Sequence, residues 1–66
     1  MSYVEAVAQI IASSMGNNYA DAFKNKERWV AKRAMSGGRF RDINELMQCH
    51  YLAAAEAVLA HLGAPQ

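Results

Sequence analysis

Sixty-six residues carry 53% hydrophobic side chains and a net charge of only +1. A chain this short buries about 60% of the surface it exposes when unfolded, so it makes one domain and leans on close packing or a second copy for stability. Its single cysteine excludes an intrachain disulfide, and Cys49, His50 and His61 fall short of the usual ligand set of a structural zinc site.

Ser2 with Glu5 three residues later is a capping-box pattern, in which hydroxyl and carboxylate satisfy orphan backbone N–H groups. Val4, Val7, Ala8, Ile11 and Met15 follow at helical spacing, and Gly16-Asn17-Asn18 is a turn that ends the first helix. A second helix is expected from near Asn18 to Met35, with Asp21 at the positive end of its dipole. Its apolar stripe is thin: Ala20, Phe23, Val30 and Ala34, interrupted by Glu27. Asn25 also suits a cap, which would break this element near residues 24–25. Gly37 to Arg41 is a loop, and Asp42 with Glu45 repeats the capping signal. The third helix then runs from Ile43 to about Leu62 and closes at Gly63 and Pro65. The expected fold is all-α: a small three-helix bundle, or four helices if the second breaks near residue 25, completed by self-association. No run of 18 apolar residues is present to span a membrane. The opening residues lack the basic stretch of a signal peptide, and one unpaired cysteine suits a reducing compartment, so the expected location is the cytoplasm.

The third helix is the most informative element. At about 100° per residue, Ile43, Leu46, Met47, His50, Ala54, Ala57, Val58 and His61 share one broad face. Asn44, Glu45, Gln48 and Glu56 mark the other side, yet Leu52 and Leu59 project among them. Tyr51, Ala55 and Leu62 widen the apolar arc further. A helix so apolar around its circumference is expected to be buried on two sides. Tyr51, Leu52, Ala55, Leu59 and Leu62 are therefore the expected self-association surface of a homodimer.

Charge is distributed unevenly. All seven basic residues lie between Lys24 and Arg41, opposed there only by Glu27, which leaves this stretch at +6 and the remainder at −5. Lys24, Arg28 and Lys32 form one helical row, Lys26, Trp29 and Arg33 a second, and Arg39 and Arg41 flank Phe40. Arginine forks recognise carboxylates and phosphates, and interface energy concentrates in Trp, Tyr and Arg. Lys24, Arg28, Trp29, Lys32, Arg33, Arg39, Phe40 and Arg41 are thus the candidate partner-binding residues. An acidic protein surface is the favoured partner. The alternative is nucleic acid or a nucleotide on the same residues, although domains that bind nucleic acid usually carry a strongly basic balance.

Catalysis has little support. Cys49 and His50 are helix neighbours that point about 100° apart, and Cys49 is expected in the core. His50 and His61 lie too far apart along one helix to chelate one ion. Three short helices also leave little room for a substrate cavity. The chain is read as a non-enzyme, with no metal and no cofactor. The Ala-rich closing segment from His50 to Leu62 and the basic, Trp-bearing segment before it resemble, in texture, small accessory proteins encoded by bacteriophages. That resemblance implies a binder or inhibitor of a host protein.

Overall fold

The computed structural model describes residues 2–63. Three α-helices make an all-α bundle: α1 (Tyr3–Ser14), α2 (Lys26–Met35) and α3 (Ile43–Leu62), with a one-turn 3-10 helix (Ala22–Asn25) leading into α2. Ser2 caps α1 by accepting from the Glu5 N–H at 3.1 Å, and Asp42 caps α3 by accepting from the Glu45 N–H at 2.9 Å. Gly63, left-handed at φ 72°, ends α3; Pro65 lies outside the described residues.

Helix α1 ends in a tight glycine turn that places a polar side chain in the core. Gly16 adopts φ 76°, and two backbone bonds wrap the terminus: Gly16 N–H to Ser13 O at 3.1 Å and Asn17 N–H to Ala12 O at 2.9 Å. This is a Schellman turn, which glycine enters without the steric penalty other residues meet at positive φ. It turns the Asn17 side chain into the molecule, where the residue is only 6% exposed.

The second helix begins eight residues later than the sequence suggests, and the break near residues 24–25 is real. Short polar side chains take the backbone away from the helical ladder. Asn18 Oδ1 accepts from Ala20 N–H at 2.9 Å, and Asp21 Oδ1 from Phe23 N–H at 2.9 Å. Asn25 does not cap α2 with its side chain; its amide instead donates to Gly16 O and Asn17 Oδ1, both at 3.2 Å. The stripe of Ala20, Phe23, Val30 and Ala34 faces solvent, and α2 turns Trp29 inward instead. The indole offers more apolar area than Val30 or any other single side chain of α2, so burying it sets the rotation of the helix.

The connection from α1 to α2 runs back along α3. Asn17 bonds Tyr51, Tyr19 O accepts from Gln48, and Ala22 N–H donates to Asn44 Oδ1. As the chain advances its partners recede, so this segment lies antiparallel to α3 and is tied to one face of it. Helix α3 touches all three other elements, whereas α1 packs on α3 alone.

The core holds Ala8 and Ala12 of α1, Ala22, Trp29, and Ile43, Met47, Tyr51, Ala55 and Leu59 of α3. The α3 residues recur every fourth position. Because four residues advance about 40° beyond a full turn, this row spirals around the helix as it rises. One spiral row, meeting different neighbours along its length, accounts for the wide apolar arc. The expected self-association surface is corrected accordingly: Tyr51, Ala55 and Leu59 are buried within the single chain, and Leu52 packs half-buried against the same core. Of that set only Leu62, 71% exposed, stays on the surface. Intramolecular packing thus takes up three of the five residues of the expected face and part of a fourth.

Candidate partner-binding groove

Trp29 is fully buried and donates from Nε1 to Asn17 Oδ1 at 3.3 Å. Its ring meets those of His50 and Tyr51 edge to face, with centroids 5.5 and 5.8 Å away. Arg28 and Lys32, one turn apart on α2, hold their cationic ends 5.4 and 5.8 Å from the indole centroid. The ring's negative face attracts both cations, which fixes them over a rigid platform. Trp29 therefore organises the basic face from beneath. It is not the exposed anchor that its place in the sequence suggests.

Arg33 is also corrected. Half-buried, it donates from Nε to Phe40 O at 2.9 Å and from Nη2 to Arg41 O at 3.1 Å. Its guanidinium clamps the loop and is committed to carbonyls. The two consecutive glycines, left-handed at φ 74° and 79°, reverse the chain after α2 so that this clamp can close. They serve chain reversal, and the reversal lays Arg39 and Phe40 beside α2. Arg39 sits 5.1 Å over the Phe40 ring, which is half-buried. Arg41 is spoken for on the surface, pairing with Glu45 at 3.5 Å.

Between α2, this loop and α3 lies an open groove of about 600 Å3 lined by Trp29, Lys32, Met35, Ser36, Arg39, Phe40, Leu46, Cys49, His50 and Ala53. No carboxylate stands among these residues. Lys24 and Lys26 are exposed but do not line it. Sequence reasoning thus found four of the lining residues, Trp29, Lys32, Arg39 and Phe40. It missed the α3 wall, Met35 and Ser36. Cys49, expected in the core, is exposed in the groove, because the spiral buried row of α3 passes by on the other side. The only available signal was that Leu46, Cys49, His50 and Ala53 themselves recur at three- and four-residue spacing.

No family model, curated protein or solved structure matches the chain.

The electrostatics of the groove are legible in His50. Its pKa is lowered from the ordinary histidine value, first by desolvation against the neighbouring rings, then by the positive charges of Lys32 and Arg28. The folded protein holds His50 neutral more strongly than the unfolded chain does. Its contribution to stability is complete above the unfolded value and declines as pH falls through it. An NMR titration of the His50 ring is expected to give a midpoint below 6.5, and Lys32→Gln to move it upward. A midpoint unmoved by Lys32→Gln would mean that this cation does not act on His50. Among the described residues, no three of His, Cys, Asp and Glu gather as a metal site, and no helix is long and apolar enough to cross a membrane.

Proposed function

We propose that the protein is a non-catalytic interaction module that holds an acidic protein surface on the basic face of α2 and the following loop. One observation carries this reading: Lys32 and Arg39 line a groove without carboxylates, Arg28 lies over the Trp29 ring that forms part of it, and the ion pair formed among the described residues uses Arg41 instead. Three cations held on aromatic rings are partly pre-organised, so less side-chain freedom is lost when carboxylates bind them. The acidic remainder of the chain adds to the preference for a compact acidic partner over a long polyanion. The nucleic-acid reading loses a support, since a fully covered Trp29 offers no face on which a base can stack. In the manner of phage accessory proteins, occupancy of an acidic patch would make this an inhibitor of its partner. We place it in the cytoplasm, where the exposed Cys49 thiol stays reduced.

The double variant Arg28→Glu/Lys32→Glu tests this. Both residues are exposed, so helical circular dichroism should be retained. Capture of an acidic protein from the native cell should be lost with the variant, and capture by the wild type should weaken as salt rises. Equal recovery by variant and wild type would overturn the proposal. A salt-sensitive gel shift with nucleic acid, abolished by the same variant, would replace it with the competing reading.

A further inference from the structure

A face that only collected charge would have no need of apolar walls, yet the groove is apolar between its cations. Met35 is 87% exposed, the most of any large hydrophobic side chain described, and it stands at the groove beside Leu46, Phe40 and Ala53. Lys32 rises on the α2 side and Arg39 on the loop side. Helix α2 stops at Met35 and the two left-handed glycines reverse the chain, which brings Arg39 and Phe40 to the same groove. Apolar surface ringed by cations is complementary to an apolar side chain flanked by carboxylates.

We infer that the groove receives one large apolar side chain, such as phenylalanine, from an acidic segment of the partner, with that segment's carboxylates set against Lys32 and Arg39. This deepens the reading of the basic face as a docking site for an acidic protein, and it rests on that reading. Charge brings the segment to the face and sets its register. The apolar anchor, by covering Met35 and Leu46, contributes affinity that salt does not screen. Cys49, the single cysteine, lines the same groove, so occupancy can be read from its accessibility.

The test uses the full chain and two blocked, glutamate-rich peptides that differ only at a central position, phenylalanine in one and glycine in the other. The phenylalanine peptide should bind on the order of tenfold tighter. It should also slow alkylation of Cys49 by N-ethylmaleimide, while the glycine peptide should not. Protein already alkylated at Cys49, or carrying Ala53→Trp, should lose the tenfold advantage yet bind the glycine peptide as before. Equal binding of both peptides, abolished by Arg28→Glu/Lys32→Glu and without protection of Cys49, would overturn the groove inference and leave the basic face standing. If neither peptide binds and a single-stranded oligonucleotide does, both fall.

Discussion

Replacing Trp29 by alanine is expected to abolish the cooperative thermal transition. The indole is enclosed entirely by protein: Met47 and Tyr51, the other large side chains with no solvent contact, share its core, and His50 closes over its edge. Removing so large a buried ring typically destabilises by about 3–5 kcal/mol through lost transfer energy and the cavity left behind. A domain of this length commonly has only about 3–5 kcal/mol in total, so little or no folded population should remain. Arg28 and Lys32 would also lose the ring over which they are held. Trp29→Phe separates packing from hydrogen bonding. It keeps an aromatic ring but deletes the Nε1 donor, and Asn17 Oδ1 still accepts from Asn25. Allowing also for the smaller ring, a loss of about 1–2 kcal/mol with cooperativity retained is expected. Circular dichroism melts of the two variants decide the matter, and a Trp29→Ala protein melting like wild type would refute this core.

The second large effect is expected from Asn17→Ala. Asn17 uses its whole hydrogen-bonding capacity: Nδ2 donates to Tyr51 Oη at 2.8 Å and to Met15 O at 3.2 Å, while Oδ1 accepts from Trp29 Nε1 and Asn25 Nδ2. Every element of the bundle is represented, from the end of α1 through the 3-10 turn and α2 to α3. Truncation to alanine strands the Trp29 N–H and takes a donor from the Tyr51 hydroxyl, both inside the core. Each such orphan costs about 1–3 kcal/mol, giving roughly 3 kcal/mol together. The double variant Asn17→Ala/Tyr51→Phe removes one stranded group and should recover part of that loss. Urea denaturation measures both, and strict additivity of the two substitutions would show that the bond contributes nothing.

The candidate binding surface was legible only as a list of cations, and the reason lies in helix rotation. Lys26, Trp29 and Arg33 form a row as regular as Lys24, Arg28 and Lys32, and spacing along one helix carries no information about which row faces inward. Trp29 went in because the core gains most from the indole, and Arg33 followed it on the same flank to become the clamp on Phe40 and Arg41. The same ambiguity misplaced Tyr51, Ala55 and Leu59. Their apolar character was plain, but whether a neighbour in the same chain or a second copy covers them depends on where α1 lies.

What the residues determined by themselves is local: the caps at Ser2 and Asp42, the span of α3, the glycine stops, and the crowding of every cation between Lys24 and Arg41. These rest on interactions within a few positions along the chain, where geometry follows directly from covalent connectivity. The tertiary structure decided the late start of α2, the four-bond centre at Asn17 and the union of Lys32 and Arg39 with Met35, Leu46 and Cys49 around one groove. Those features join positions far apart in the chain, and which partners meet is settled only when the largest apolar side chains compete for one small core.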